Sequence, residues 1–155
     1  MTLTALPAVG AVAPEFTLAS TSGTDVTLST LRGKRVLLAF FPAAFTSVCT
    51  AELCAFSEEY GQFADADTVV LPLSVDSVES LKEFKAKERM TVHLLSDFRR
   101  QVSRAYGALD EGRFRAIRAY VLIDAQGVVR WTHAEEHPGL RRTNEELLAQ
   151  VKAIA

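Results

Sequence analysis

The two cysteines of this chain lie close together, at positions 49 and 54. Cys49 follows an apolar stretch that ends at Pro42, and the pattern after it predicts a helix that begins at about Val48. A thiol in the first turn of a helix lies among backbone N–H groups without helical partners, at the positive end of the helix dipole. Because this environment favours the thiolate over the thiol, the residues predict a reactive Cys49 and cysteine redox chemistry.

The helix dipole alone is a marginal source of thiolate. A free thiol has a pKa of about 8.5, and lowering it by about two units requires about 2.7 kcal/mol of extra stabilisation of the charged form. A helix N-terminus typically contributes about 0.3–1 kcal/mol, and up to about 2 kcal/mol in partly buried geometry. A fixed cation near the sulfur is therefore expected, and a guanidinium suits this purpose because it keeps its proton at working pH.

The hydrophobic pattern predicts an α/β fold. Residues that alternate in polarity on both sides of 22–24 predict an N-terminal β-hairpin, and long apolar runs predict buried strands at 34–41 and 68–75. The other predicted elements are helices at about 48–63, 76–88, 98–106 and 144–153, strands at 92–95, 118–123 and 128–132, a loop at 107–115, and a capping box at Thr143 and Glu146. This order implies a central mixed sheet flanked by helices on both faces, parallel in its βαβ part and closed by an antiparallel hairpin. Function in such a sheet gathers at the carboxyl ends of the strands, and Cys49 lies just beyond one.

Length and composition favour one globular domain over residues 1–155. The net charge of −2 argues against a nucleic-acid surface, which would need clustered excess Lys and Arg. The longest apolar run, 36–41, is far too short to cross a membrane. Met1–Pro7 has no basic start and no extended apolar region, so we expect no secretory leader and a cytoplasmic location. In that compartment a thiol pair that cycles is expected rather than a lasting structural disulfide.

His133 and His137 match a zinc-peptidase pattern, H-x-x-E-H. That chemistry needs both imidazoles on one face of a helix. The segment follows a predicted strand and runs directly into Pro138 and Gly139, which leaves no helix to hold it. We therefore expect no metal site.

The order of motifs resembles that of the peroxiredoxins, which are peroxidases with a thioredoxin fold. Their signature Pro-x-x-x-Thr-x-x-Cys stands here from Pro42 to Cys49, with Thr46 at the threonine position. The segment 117–124, Ile-Arg-Ala-Tyr-Val-Leu-Ile-Asp, is similar to the strand that carries the family's catalytic arginine, and 74–77, Ser-Val-Asp-Ser, is similar to the end of an intervening strand. The resemblance covers nearly the whole chain, from Pro14 to the last helix.

This resemblance implies roles for the matched residues. Cys49 would be the peroxidatic cysteine that becomes a sulfenic acid, and Pro42 would shield its sulfur. Thr46 would orient the peroxide, and Arg118 would supply the positive charge. The Thr46 hydroxyl, the Cys49 N–H and the Arg118 guanidinium would together stabilise the charge that moves to the leaving oxygen.

The resemblance also implies the wider setting of the reaction. The substrates would be hydrogen peroxide and small organic hydroperoxides, with no metal, haem or flavin cofactor. A thioredoxin-like or other dithiol would return the electrons, and a homodimer through the active-site loops is expected.

Two further residues are candidates for the substrate pocket. Glu52 lies one helical turn after the signature cysteine and is placed to hydrogen-bond Arg118, and a solvated helix residue is the alternative. Phe45, with Phe114 and Tyr120, would line an apolar path for organic peroxides. The alternative for these aromatic residues is a core or dimer contact.

Cys54 decides between two mechanisms. Its position five residues after Cys49 is similar to that of the resolving cysteine in the Q-type, bacterioferritin-comigratory group, whereas 41–46 and 142–147 resemble the one-cysteine E-type alkyl hydroperoxide reductases. On an intact helix the two Cα atoms would be about 8.5 Å apart, and a disulfide needs about 4.4–6.8 Å. We therefore expect residues 46–56 to unwind when a Cys49–Cys54 disulfide forms. The alternatives are a Cys54 that only packs, an external thiol that resolves Cys49, and a peroxide sensor without turnover.

Overall fold

A computed structural model describes residues 5–154. In chain order, the elements are β1 (Thr17–Ser20), β2 (Val26–Thr27), a 3₁₀ turn (Leu28–Leu31), β3 (Arg35–Phe40), α1 (Ser47–Glu58), α2 (Tyr60–Asp65), β4 (Thr68–Ser74), α3 (Val78–Glu88), β5 (Leu95–Ser96), α4 (Gln101–Ala105), β6 (Leu109–Asp110), β7 (Arg115–Ala116), β8 (Ala119–Ile123), β9 (Val129–Ala134) and α5 (Asn144–Ala153). The expectation that there is no secretory leader rests on Met1–Pro7, and residues 1–4 of this segment lie outside the described residues. Within 5–154, no helix is long and apolar enough to cross a bilayer.

Seven strands form one mixed sheet in the order β2-β1-β5-β4-β3-β8-β9. β4 runs parallel to both of its neighbours, β3 and β5. β1 pairs antiparallel with β2 and β5, and β8 pairs antiparallel with β3 and β9. The predicted α/β class, the central mixed sheet and the N-terminal hairpin are thus confirmed.

The pairing of β3 with β8 positions the candidate site. Phe40, the last residue of β3, lies opposite Ala119, the first residue of β8. The chain that leaves β3 toward Cys49 therefore starts beside the chain that enters β8 from Arg118. The register of these two strands brings the ends of two distant sequence motifs to the same edge of the sheet.

Alternate residues of β3 point into two apolar cores. Leu37 and Ala39 join a core under α1, α2, α3 and α5. Val36 and Leu38 join a core on the opposite face, which the 3₁₀ turn and α4 cover. Since residues 36–40 are each at most 2% exposed, the strand needs apolar side chains on both faces, and this explains its unbroken apolar run.

The helix predicted at 48–63 is broken at Glu59, where the backbone leaves helical geometry (φ −113°, ψ 19°). The Asn144 side chain donates to the carbonyl of Ala55 in the last turn of α1, at 2.8 Å. Gly61, just beyond the break, is a poor helix former. Both features favour two shorter helices over one long one.

Other predicted boundaries also differ from the structure. The predicted loop at 107–115 contains the hairpin of β6 and β7, whose turn forms where the Asp110 carboxylate accepts from the N–H groups of Gly112 and Arg113. Of the strand predicted at 92–95, only Leu95 lies in an observed strand, β5. The helix predicted at 98–106 starts late, because Arg100 takes a left-handed conformation (φ 64°) directly before α4.

The predicted capping box of α5 is present. The Thr143 side chain accepts from the Glu146 N–H at 3.2 Å, and the Glu146 carboxylate accepts from the Thr143 N–H at 3.0 Å. These bonds satisfy N–H groups that have no partner inside the helix. They also fix the start of a helix whose buried apolar side chains join the same core as those of α1.

We predict that Thr143→Ala lowers the free energy of unfolding by about 1 kcal/mol, the usual cost of losing such a cap. Urea unfolding measures the change. Thr24→Ala is the matched control, because Thr24 is exposed and its hydroxyl caps no helix. Equal unfolding free energies for the two variants would contradict the role of the cap.

Candidate active site

Cys49 is the third residue of α1, directly after the turn that follows β3. Thr46 precedes the helix with an extended backbone (φ −85°, ψ 153°), and its side chain caps no helical N–H group. The Thr46 hydroxyl instead donates to the carbonyl of Ala43 at 2.8 Å. The positive end of α1 is therefore left to the sulfur and to any ligand that binds beside it.

The guanidinium of Arg118 contacts the sulfur of Cys49. Nη2 lies 2.9 Å from Sγ, and the two residues are 2% and 1% exposed. The fixed cation that the thiol chemistry requires is thus present next to the sulfur, at the end of the sheet where β3 and β8 meet. The structure brings these two predicted site residues together, and their catalytic roles stay predictions.

Two groups besides the Cys49 sulfur hold the Arg118 side chain in place. Nη1 donates to Glu52 Oε1 at 2.6 Å, and the carbonyl of Pro138 accepts from Nε at 3.3 Å and from Nη2 at 3.2 Å. Burial lowers the pKa of Arg118, but Glu52 and the sulfur of Cys49 more than offset this effect and raise it above its usual value. The guanidinium therefore stays charged.

Glu52 is buried, so it is not the solvated helix residue that was the alternative. Its second oxygen, Oε2, accepts from the hydroxyl of Tyr120, which in turn accepts from the Arg142 N–H at 3.0 Å. Burial raises the pKa of Glu52, and the positive charge of Arg118 and the Tyr120 hydroxyl oppose that rise. With both oxygens bonded, Glu52 orients Arg118 and does not face an open pocket.

Tyr120 takes the alternative place, in the core, and does not line a path for organic peroxides. It is fully buried and its hydroxyl is bonded on both sides. Burial and the neighbouring Glu52 carboxylate raise its pKa far above the usual range. Tyr120 therefore acts as a neutral hydrogen-bond donor that supports Glu52.

Phe45 lies in the turn between β3 and α1 and is half exposed. Its backbone is left-handed (φ 66°), a conformation that costs a residue with a side chain about 1–2 kcal/mol. Its ring packs on Phe84 with a centroid distance of 5.0 Å, and Lys87 Nζ lies 5.7 Å from the ring centre. Phe45 thus covers the core at α3 while part of its ring remains accessible.

Asp76 holds the same turn, and sequence reasoning missed this. Its Oδ2 accepts from the Ala44 N–H at 2.9 Å and from the Ser74 hydroxyl at 2.7 Å. A hydrogen bond to a charged acceptor contributes about 1.5–3 kcal/mol, enough to offset the left-handed residue that follows. Ser77 caps α3 by accepting from the Ser80 N–H at 3.2 Å, so the Asp76 carboxylate is left for the turn.

Pro42 is buried and borders a small pocket beside Arg118. The pocket has a volume of about 250 Å³. Its lining also includes Asp110, Arg113, Arg115, Ala116, Ile117, Glu135, Glu136, His137 and Pro138. Arg118 and Pro42 therefore border the same pocket.

Residues 9–132 match the model of the AhpC/TSA family. The chain belongs to this family of peroxiredoxins. It is 40% identical over 127 residues to a putative peroxiredoxin bcp of Coxiella burnetii, in an alignment that covers 78% of this chain and 84% of the relative.

Two other relatives are informative about length and fold. The chain is 36% identical over 137 residues to the human mitochondrial thioredoxin-dependent peroxide reductase. This alignment covers 84% of this chain and 53% of the relative, so the chain spans about half of that protein. The structure of a reduced 2-Cys peroxiredoxin from Plasmodium vivax matches with a TM-score of 0.87 and 31% identity, over 94% of this chain and 81% of that one. The expected thioredoxin-like fold is thereby confirmed.

Both cysteines of this peroxiredoxin are free thiols on the same helix, α1. Cys54 is half-buried and packs against the core under α1 and α3. Burial and the carboxylates of Glu88 and Glu58 raise its pKa. The intact helix keeps the two cysteines about 8.5 Å apart at Cα, so they cannot join without a change in α1.

The two histidines of the H-x-x-E-H pattern have separate neighbours in this peroxiredoxin. His133 lies in β9, where its ring stacks on Trp131 at a centroid distance of 6.0 Å. His137 Nδ1 accepts from the Gly139 N–H at 2.9 Å in the following turn. Residues 5–154 contain no cluster of three side chains that could hold a metal ion.

We predict that Arg118→Lys slows the alkylation of Cys49 by iodoacetamide at neutral pH by about tenfold or more. A lysine keeps the charge but cannot bond the sulfur, Glu52 and Pro138 together, and one charge-assisted bond is worth about 1.5–3 kcal/mol. Alkylation measured in a Cys54→Ser background follows a single thiol. Arg130→Lys, at a separate ion pair with Asp124, is the control. Equal alkylation rates for Arg118→Lys and the parent would contradict the contact.

Proposed function

We propose that this chain is a thiol-dependent peroxidase that reduces hydrogen peroxide and small organic hydroperoxides through Cys49. The observation that carries the proposal is the buried contact between Arg118 and the Cys49 sulfur at 2.9 Å. A guanidinium that Glu52 and Pro138 hold at this distance favours an anionic sulfur. The guanidinium also lies where negative charge develops on the peroxide. An isolated reactive cysteine would lack this stabilisation.

The first step is attack of the Cys49 thiolate on one oxygen of the peroxide. An S–O bond forms, the O–O bond breaks, and the leaving oxygen takes a proton to become water or an alcohol. Cys49 is left as a sulfenic acid. Arg118 and the first-turn N–H of Cys49 stabilise the leaving oxygen.

Thr46 orients the peroxide in this proposal. Its hydroxyl hydrogen is used by the Ala43 carbonyl, and the oxygen still has lone pairs free. The oxygen can therefore accept a hydrogen bond from the O–H group of the peroxide. Pro42 keeps water from the sulfur on the side of the pocket beside Arg118.

Cys54 resolves the sulfenic acid in the second step. The Cys54 sulfur attacks the Cys49 sulfur, an S–S bond forms and water leaves. Since the two thiols lie on one helix, α1 must unwind around 46–56 before they can meet. A thioredoxin-like dithiol then reduces the exposed disulfide, and the name of the human relative, thioredoxin-dependent peroxide reductase, supports this choice of reductant.

A homodimer through the active-site edge is also proposed. The exposed rings of Phe45 and Phe98 follow the carboxyl ends of β3 and β5, and the exposed ring of Phe114 lies in the β6–β7 hairpin that leads into β8. Arg100 Cζ lies 4.1 Å from the centre of the Phe114 ring. A second copy of the chain would cover these rings.

We predict that one equivalent of hydrogen peroxide oxidises the wild type but not Cys49→Ser. Loss of the attacking sulfur removes the reaction, while the small change keeps the fold. Mass spectrometry of the intact wild type should show a loss of two hydrogens, which is the mass change of a Cys49–Cys54 disulfide. An assay of peroxide consumption is run on the same samples. Peroxide consumption by Cys49→Ser at the wild-type rate would overturn the proposed function.

We predict that Cys54→Ser keeps the fast first oxidation, accumulates the sulfenic acid and gains further oxygen with excess peroxide. In the wild type, disulfide formation should become faster as the pH rises, because the raised pKa of Cys54 keeps most of this thiol protonated at neutral pH. Quenched-flow alkylation across a pH series measures this step. Unchanged steady-state turnover of Cys54→Ser with a dithiol would support the one-cysteine mechanism instead.

A further inference from the structure

We propose that Asp76 is a positioning residue that controls the start of α1. Its carboxylate bonds the Ala44 N–H, and we call this bond the latch. The latch keeps the turn before Cys49 folded for the reaction with peroxide and delays the unwinding that lets Cys54 reach Cys49. The inference rests on the proposed function. It adds to the site a residue that belongs neither to the signature at 42–49 nor to the arginine segment at 117–124.

Asp76 is itself firmly anchored to the end of the sheet. Its Oδ2 accepts from the hydroxyl of Ser74, which is fully buried, and its N–H donates to the same hydroxyl at 3.2 Å. Its carbonyl accepts from the Ser96 hydroxyl at 2.7 Å. Strands β4 and β5 therefore fix the position of the carboxylate. Through the latch, the carboxylate in turn fixes the position of the turn before α1.

The turn at 43–46 has few other attachments. In the described part of the chain, the other hydrogen bonds of these residues stay within the turn or run to Thr50 in α1. The left-handed Phe45 follows Ala44 directly, so the turn is held in a conformation that its sequence does not favour. Ala44 and Phe45 also pack against the core and α3, but the latch is the hydrogen bond that ties the turn to the end of the sheet.

The two steps of the reaction need opposite states of this turn. Attack on peroxide needs Thr46, the first-turn N–H groups and Arg118 in place around the sulfur. Formation of the Cys49–Cys54 bond needs the first turns of α1 to unwind, since the intact helix keeps the cysteines too far apart. Because the latch exists only in the folded state, its loss shifts the population toward the unwound state.

The test uses Asp76→Ala in the full-length protein, with two measurements. Hydrogen–deuterium exchange of peptides covering 43–54 in the reduced protein should be about tenfold faster, or more, than in the wild type. Rapid-mixing kinetics should show a slower reaction of Cys49 with hydrogen peroxide and a faster formation of the disulfide. A general loss of stability would not move these two rates in opposite directions.

Asp124→Ala is the matched control. The Asp124 carboxylate also accepts from backbone N–H groups, those of Gln126 at 2.9 Å and Val128 at 3.0 Å, but in the turn between β8 and β9 at the other end of the sheet. Asp76→Asn keeps an acceptor without the charge and should give an intermediate exchange rate. This milder variant tests the latch even where Asp76→Ala does not fold.

The outcomes separate the latch from the proposed function. Exchange in 43–54 that is equal in Asp76→Asn, the Asp124→Ala control and the wild type would overturn the latch, whatever the enzyme does with peroxide. A wild type that fails to react with peroxide would overturn the proposed function, while the exchange experiment would still decide the latch. Faster exchange without any gain in the rate of disulfide formation would overturn its part in resolution.

Discussion

The contact between the Arg118 guanidinium and the Cys49 sulfur is the interaction on which the rest of this site depends. A buried guanidinium is costly unless charged and polar partners surround it. Glu52 supplies the opposite charge and the Pro138 carbonyl accepts two further N–H groups. Glu52 could also compete with the sulfur for the cation. The Tyr120 hydroxyl lessens this competition because it satisfies the second carboxylate oxygen, which leaves Nη2 of Arg118 for Cys49.

The fold serves this contact through three separate pieces of chain. The register of β3 against β8 brings the two motif ends to one edge of the sheet, and α1 points its positive end at the same place. The third piece is the turn at 43–46, which has a left-handed residue and is tied to the sheet through Asp76. The site must be rigid for one reaction step and open for the next. A strained turn that one hydrogen bond ties to the sheet suits both steps, because loss of that bond releases the turn.

Much of this arrangement can be predicted from the sequence, for identifiable reasons. The doubly buried strands β3 and β4 show as apolar runs, and the capping box at Thr143 shows as a local pattern. The supports of Arg118 do not show, since one is the backbone carbonyl of Pro138, which any residue type could provide. The burial of Glu52 and the bond from Ala44 to Asp76 depend on elements that are far apart in sequence. The helix break at Glu59 shows locally only as Gly61, while its other support, the bond from Asn144, comes from a helix far along the chain.

The most direct test of the central claim is the rate at which the reduced protein reacts with hydrogen peroxide, measured by stopped flow and compared with that of a free thiolate. Ionisation alone makes a thiol available without making it fast, because nucleophilicity falls as the pKa falls. If Arg118 and the first turn of α1 also stabilise the leaving oxygen, Cys49 should react with peroxide orders of magnitude faster than a free thiolate. A rate equal to that of the free thiolate would contradict this account, because the site would then hold an anionic sulfur and nothing more.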